Sequence, residues 1–483
     1  MFIGLDLGTS GVRALLVRED GQVVGEADSP LSVAHPHSGW SEQDPADWLH
    51  ACSVAMRDLA DQYGAEMAQV QGIGVSGQMH GATLLDEQGS ILRPCILWND
   101  TRSHHEAATL DAIPGVRETS GNIVFPGFTA PKLAWLQTHE PDIFARVAKV
   151  LLPKDFVVFW LTGRLTTDMS DASGTSWLDV AGRDWSAPLL NASGLSADQM
   201  PDLFEGCDVV GQINGEIARA LGLSDQAHVV AGGADNASAA CGVGALNNGD
   251  GFVSLGTSGV VLIASDKATP VPDLALHTFC HAVPQRWYQM GVILAATDSL
   301  NWLARVTGAS PADLTAPLGD SIGAPGKVGF LPYLSGERTP HNDSAIRGAF
   351  TGLDIAHGRD DLVRAVLEGV AFALRDSLAA FEAADVSPNH LLAIGGGTGS
   401  RYWVELIATV LGVPLDLPEQ GEFGAALGAA RLAMCGATGR DPGDVMTKPV
   451  VAETIAPRAQ LSDQYADAYA RYKATYPALQ PLG

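Results

Sequence analysis

One carboxylate stands where chemistry is easy to build. Asp235 follows the apolar run Val229-Val230-Ala231-Gly232-Gly233-Ala234, and Asn236 and Ser238 come directly after it. Open α/β sheets hold ligands at the carboxyl ends of their strands, so Asp235 is placed to serve as a general base. A helix N-cap is the plainer reading, because Asp caps helices well. Asp6 ends the first apolar run, just before Leu7-Gly8-Thr9-Ser10-Gly11-Val12. A carboxylate beside a phosphate site needs a cation between the two, so Asp6 points to Mg²⁺ held through water. Taken alone, a turn or capping Asp explains it equally well. Gly395-Gly396-Gly397-Thr398-Gly399-Ser400 separates a strand-like from a helix-like segment, where bare backbone or a helix N-terminus can meet a nucleotide. It is not a Walker-type loop, and a tight turn accounts for its glycines about as well.

The sharper signal is a repeat. Leu7-Gly8-Thr9-Ser10-Gly11-Val12 recurs without change as Leu255-Gly256-Thr257-Ser258-Gly259-Val260, 248 residues later. Apolar runs flank both copies, so each reads as strand, turn, strand. Glycines let backbone N–H groups close around an anion, and Thr and Ser hydroxyls add donors. Two such hairpins facing across a cleft can grip a polyphosphate from both sides. Met79-His80 ends the strand-like Gly72–Gly77; a lone His there is more often structural than catalytic. Trp98-Asn99-Asp100-Thr101-Arg102 mixes an aromatic face with polar groups, as sugar sites and ordinary surface loops both do. His104-His105-Glu106 lacks a partner at metal-ligand spacing and reads as surface.

These residues require two similar scaffolds. The chain has 483 residues, enough for two domains or more. Apolar strands at 72–77, 227–231 and 391–394 run into Gly-rich loops, and apolar spacing over Asp361–Ala384 predicts a helix. The turn-rich stretch Gly244–Gly251 predicts a division into residues 1–244 and 245–483, with a helical tail after about residue 440. With 46% hydrophobic and 17% charged residues, the chain has material for large cores. A formal charge of −26 argues against nucleic-acid or anionic-membrane partners. Cysteines at 52, 95, 207, 241, 280 and 435 form no Cys-x-x-Cys pair and read as reduced core residues. The N-terminus lacks a basic leader and no apolar stretch approaches a membrane span, so a cytoplasmic protein is expected.

Together these stretches resemble the FGGY carbohydrate kinases, members of the sugar kinase–actin–heat-shock ATPase superfamily. The resemblance spans essentially the whole chain. It rests on Gly4–Ser10 with its second-half echo, on Gly127-Phe128-Thr129-Ala130-Pro131-Lys132-Leu133-Ala134-Trp135-Leu136, on Gly348–Leu353 leading to Asp361–Glu368, and on Ile394-Gly395-Gly396-Gly397. Within the family, Ser76–Asp86, Ile96–Asp100 and Leu331–His341 resemble the branch that phosphorylates D-xylulose. The fold this implies is α/β, two actin-like (ribonuclease H-like) domains around a central cleft. The first would be mainly sugar-binding and the second mainly ATP-binding. The resemblance also implies Asp235 as catalytic base and Asp6 as the residue serving Mg²⁺. It places Met79, His80, Trp98 and Asn236 with the sugar. Thr9, Ser10, Gly256, Thr257, Gly396 and Gly397 fall at nucleotide positions, and Asn301 less securely. The implied partners are the sugar and ATP, with a homodimer as the assembly to consider.

Two other readings stay open. The fold does not fix the sugar, so another ketopentose or a polyol could be the acceptor. A chaperone-type ATPase or an actin-like filament protein would share the two-domain clamp. Against that switch reading, the sequence shows no separate client-binding region, and Met79-His80 with Asp235-Asn236 resembles a small-polyol pocket.

Overall fold

Phe2–Leu7 is a central strand. It pairs antiparallel with Gly11–Val17 through the Gly8–Ser10 turn, and parallel with Gly72–Gly77 on its other side. The structure, a computed structural model, describes residues 1–419 and 424–482. The first sheet has seven strands. Six run in the order Val209–Gln212, His228–Val230, Gly72–Gly77, Phe2–Leu7, Gly11–Val17, Val23–Pro30, and the short Gly233–Ala234 pairs beside Gly72–Gly77. The second sheet repeats the plan. Gly251–Leu255 pairs antiparallel with Gly259–Ser265 through the second hairpin and parallel with Leu391–Ile394. Trp287–Ile293 and His277–Cys280 extend one side, and Leu415–Pro418 the other. Identical hexapeptides thus join the same two strand types once per half, with Leu7 opposite Val12 in the first copy and Leu255 opposite Gly259 in the second.

Side chains alternate across the strands and dictate what covers each face. Ile3, Leu5, Leu7, Ile73 and Val75 point to one side of the first sheet, into a core with Trp48, Cys52, Leu59, Phe156 and Val157 from the helices Pro45–Met67 and Pro153–Thr162. The opposite face carries Gly4 and Gly74, and there a helix lies directly on the backbone. A Cβ on Gly4 would stand 1.8 Å from the Ala426 carbonyl oxygen, and one on Gly74 2.0 Å from that of Ala429. The helix is Ala425–Thr438, from the second half of the chain. The helix Asp235–Val243, from the first half, shares a core with Phe252, Leu262 and Tyr288 of the second sheet. The two helices cross so closely that a Cβ on Gly428 would fall 1.7 Å from the Ser238 carbonyl oxygen. Arg431 fastens the crossing, its Nη1 donating to the carbonyls of Cys241 (3.0 Å), Gly242 (2.9 Å) and Thr447 (3.1 Å).

The tail corrects one expectation. Beyond residue 440 the chain is not simply helical, because Val451–Ile455 adds an antiparallel strand to Leu415–Pro418 and completes a second seven-stranded sheet. Its β-branched Val451, Thr454 and Ile455 favour that pairing. The helix Ser462–Leu479 follows and buries Tyr465, Ala468 and Tyr472. All six cysteines are free, five of them buried and Cys207 half-buried. No helix among the described residues is long and apolar enough to cross a membrane.

Because the covering helix leaves no room for a methyl group, Gly74→Ala should destabilise the protein by about 1–3 kcal/mol or more. Urea unfolding should show a lowered midpoint. An unchanged midpoint would mean that the helix does not sit on the strand as described.

Candidate active site

Asp235 reaches its place through a turn only glycine can make. After His228–Val230 the chain stays beside Gly72–Gly77 but bulges by one residue at Gly232, where φ is +82° and a Cβ would lie 1.9 Å from the Val75 carbonyl oxygen. Gly233–Ala234 then realigns beside Ser76 and Gly77. Ala234 is the helix N-cap and Asp235 the first helical residue, so the capping interpretation of Asp235 does not hold. Its Oδ1 accepts from the backbone N–H (2.6 Å) and the side-chain amide (2.8 Å) of Asn236. Burial first, and then the like charge of Asp6, push Asp235 up to about 6. Burial also raises Asp6, whose Oδ1 is sealed from solvent without a hydrogen-bond partner. Two carboxylates therefore face each other in a poorly hydrated cleft, a setting that favours a bound cation or a proton.

Behind Asp235 is a buried ion cluster that no local spacing of residues marks. The Lys154 ammonium lies 2.5 Å from Asp155, 2.9 Å from Asp168 and 4.0 Å from Asp171, all with essentially no exposure. Burial opposes its charge, but the three carboxylates hold it protonated. The cluster pins both ends of the loop that delivers Asp235. Lys154 Nζ donates to the Ala231 carbonyl (3.3 Å), and the Ala234 N–H donates to Ser170 Oγ (3.0 Å), which in turn donates to Asp168.

A wall of the first domain is built around His80. Its backbone has φ +71°, and its carbonyl accepts from Lys132 Nζ (2.8 Å) and Thr129 Oγ1 (3.1 Å). Nδ1 sits 2.6 Å from the Gly174 carbonyl, which can only accept, so Nδ1 carries the proton. Burial drives the imidazole down to about 3. A neutral ring with Nδ1 protonated leaves Nε2 as an acceptor on the partly exposed side. Phe128 stacks on this ring with centroids 4.3 Å apart. Phe128, Thr129 and Lys132 all come from the 127–136 stretch, whose physical task is thus to hold His80. Met79 is buried beneath, and its Cε would meet a Cβ on Gly174 at 2.8 Å.

Trp98 is 47% exposed and donates through Nε1 to Thr9 Oγ1 (2.9 Å), which donates to Gln78 Oε1 (3.1 Å). Thr9 and Ser10 therefore belong to the first-domain wall with Trp98. Gly256, Thr257, Asn301, Gly396 and Gly397 are gathered separately. The Thr257 and Gly256 carbonyls accept from Ala296 N (2.9 Å) and Thr297 N (3.0 Å), joining the second hairpin to the helix Thr297–Thr307 that carries Asn301. A cavity of about 510 Å³ opens between Asn301, Ala312, Ala316, Gly396, Gly397 and Arg401, within the size range of nucleotide and drug sites. At its base Gly395 adopts φ +89°, with the Leu255 carbonyl 2.8 Å from where a Cβ would be.

Comparison with known proteins agrees with this architecture. The models of the FGGY family of carbohydrate kinases match residues 1–242 with the N-terminal domain and 251–437 with the C-terminal domain. The chain belongs to that family. It is 46% identical to the xylulose kinase of Escherichia coli over the full length of both chains. Among solved structures it is similar to a xyloylose kinase from Brucella ovis (54% identity, TM-score 0.98, all of both chains covered). It is also similar to a xylulose kinase from Rhodospirillum rubrum (32% identity, TM-score 0.93, 100% of this chain and 99% of that one). The fold is the two-domain sugar-kinase fold of the actin-like superfamily, as expected.

Three expected outcomes follow from the geometry. A base must be ionised to accept a proton, so kcat/KM should fall on the acid side with a midpoint near pH 6. The same raised pKa means that the fold favours neutral Asp235, and that ionising it above pH 6 costs stability. In metal-free buffer Asp235→Asn should therefore gain roughly 1–3 kcal/mol at pH 8, shrinking towards pH 4, as read by thermal melting. A constant gain across that range would dissociate Asp235 from the titration. Ser170→Ala breaks the link from Asp168 to Ala234. It should lower kcat by roughly 10–100-fold through misplacement of Asp235, with sugar KM little changed. An unaltered kcat in the folded variant would show that the clamp is not needed.

Proposed function

We propose that this kinase transfers the γ-phosphoryl group of ATP to O5 of D-xylulose, with Asp235 as general base. The observation that carries the reading is the presence of three features in one two-domain fold. These are a carboxylate of raised basicity at a strand end, a neutral His80 acceptor in an aromatic wall, and a glycine-lined cavity of nucleotide size. The full-length similarity to xylulose kinases supports the choice of sugar.

In this reading Met79, His80, Trp98 and Asn236 surround the sugar, and His80 Nε2 accepts from one of its hydroxyls. Gly256, Thr257, Asn301, Gly396 and Gly397 hold the nucleotide, with Thr9 and Ser10 approaching the phosphates from the opposite wall. O5 attacks the γ-phosphorus, the bond to the β–γ bridging oxygen breaks, and the O5 proton passes to Asp235, leaving ADP and D-xylulose 5-phosphate. Most of the acceleration comes from alignment and charge neutralisation rather than from the base alone. Asp6, with its orphaned buried oxygen, fits a Mg²⁺ held jointly with phosphates and water. Among the described residues no cluster of three metal-ligating side chains could hold an ion by itself. When bound, the ion would neutralise charge on the transferring phosphates. The domain division at 244/245 and a cytoplasmic location, supported by the six free cysteines, belong to the same reading.

A coupled assay of ADP release over ketopentoses, aldopentoses and polyols tests it. D-xylulose should give the highest kcat/KM, and Asp235→Ala should lower turnover by about 10²–10⁴-fold while remaining folded. Preference for another sugar would reassign the substrate. ATP turnover indifferent to any sugar would favour the nucleotide-switch reading.

A further inference from the structure

The loop from Tyr333 to Asp343 belongs to the second domain but reaches the sugar-side wall of the first. Its hydrogen bonds fix it to the second sheet. Glu337 Oε1 accepts from the N–H groups of Leu294 (3.0 Å) and Arg338 (2.7 Å). Thr339 N donates to the Val292 carbonyl (3.0 Å), Val292 N donates to Thr339 Oγ1 (3.0 Å), and Thr339 Oγ1 donates to the Ala275 carbonyl (2.9 Å). Held this way, Arg338 places its guanidinium carbon 4.5 Å from the centre of the Phe125 ring. Phe125 packs edge-on against Phe128, which stacks on His80. The same first-domain wall meets the second sheet nearby, where His277 Nδ1 lies 3.0 Å from Asn122 Oδ1.

Apart from this ring contact, the Arg338 guanidinium has no hydrogen-bond or ion-pair partner among the described residues. The nearest carboxyl in sequence, Glu337, is driven up to about 8 by burial and is mostly neutral at physiological pH. An arginine cation in a partly desolvated wall is costly unless an acceptor reaches it. Its five N–H donors are therefore available to a ligand.

We infer that Arg338 is a sugar-binding residue contributed by the second domain, donating to the carbonyl at the unphosphorylated end of a 2-ketose. This rests on the kinase reading above and adds to it which end of the sugar lies where. His80 and His277 both feel the Arg338 charge, whereas Asp235 is governed by burial, Asp6 and Asn236. Arg338 thus belongs to the His80 end of the pocket, away from the base. There the two groups are complementary. His80 Nε2 only accepts and the guanidinium only donates. An α-hydroxyketone offers both on adjacent carbons, with O1–H for His80 and the C2 carbonyl for Arg338. An alditol replaces that carbonyl by a hydroxyl whose extra proton the guanidinium cannot accept, leaving a buried donor unpaired.

The test compares D-xylulose with xylitol on the wild-type enzyme and on Arg338→Met, which retains a packing stem against Phe125 but no charge. Arg338→Met should raise the KM for D-xylulose by about 10–100-fold, the loss of one charged hydrogen-bonded contact. The KM for ATP should not change. The preference for D-xylulose over xylitol should fall by the same factor, and Arg338→Lys should restore part of it. A D-xylulose KM within about twofold of wild type, a level too small for a lost charged contact, would overturn the inference. So would an equal loss on both sugars, or a loss confined to ATP. Should the enzyme prefer another ketopentose, that ketose and its alditol replace the pair, so Arg338 is judged separately from the identity of the sugar. A wild-type enzyme that prefers alditols would refute the role of Arg338 while leaving the kinase reading intact.

Discussion

Two helices that exchange sheets hold the molecule together, and the cleft depends on that exchange. Ala425–Thr438 lies on Gly4 and Gly74 of the first sheet, while Asp235–Val243 packs into the core of the second, and they cross where Gly428 meets the Ser238 backbone. Side chains at these points would push the helices apart, and Asp235 would move with them, because it opens one of the two. Asp235 is therefore held by the first sheet through Gly233–Ala234 and, through the helix it opens, by the crossing with Ala425–Thr438. Ala425–Thr438, resting on the first sheet, meets that helix at the Ser238 backbone, so the second half of the chain packs against the element that Asp235 begins. Arg431, bonded to the last carbonyls of the same helix, stiffens that connection from the opposite end.

The cleft also carries an electrostatic cost. Asp6, Asp168, Asp171 and Asp235 lie in one poorly solvated region, and the Lys154 ammonium is the cation buried among Asp155, Asp168 and Asp171. Burial raises Asp171 strongly, and Asp235 adds to that rise. Desolvated carboxylates at this density prefer protons or cations to mutual repulsion. Lys154 offsets the charge of Asp155, Asp168 and Asp171, while Asp6 and Asp235 repel each other. Burial first, and then the charge of Asp6, raise the basicity of Asp235, a setting that favours a bound cation or a proton. Structure behind the loop and chemistry in front of it are thus two parts of one charge distribution.

What could be read from the sequence was whatever is local or repeated. Asp235 stood out because small residues isolate it at a strand end, and the hairpins because they are identical. Lys154 and Arg338 could not be recognised in that way. Lys154 gains its meaning from Asp168 and Asp171, more than ten residues away, and from the loop at 231–234. Arg338 gains its meaning from Phe125 and His80 of the other domain. Long-range convergence of this kind leaves no spacing to detect. The strand Val451–Ile455 was missed for a related reason. A five-residue edge strand with no helical period reads as loop until the partner Leu415–Pro418 is known.

The identical hairpins finally show how a duplicated element is put to unequal use. Thr9 Oγ1 donates to Gln78 and accepts from Trp98, so its hydroxyl is engaged within its own wall. Thr257 is exposed, and its carbonyl is tied to the helix that carries Asn301. The residue preceding each Leu-Gly-Thr-Ser run differs as well, being Asp6 in the first copy and Ser254 in the second. A carboxylate in both copies would enclose a polyanionic phosphate chain between two like charges. With Asp6 on one side and a neutral Ser254 on the other, the reading proposed above would need a single cation to join the phosphates to the protein. The same asymmetry orients the cleft. The first hairpin stands beside the carboxylates Asp6 and Asp235, and the second beside Asn301 and the glycines 395–397, so the reading proposed above would have the phosphoryl group cross from the neutral side to the acidic side.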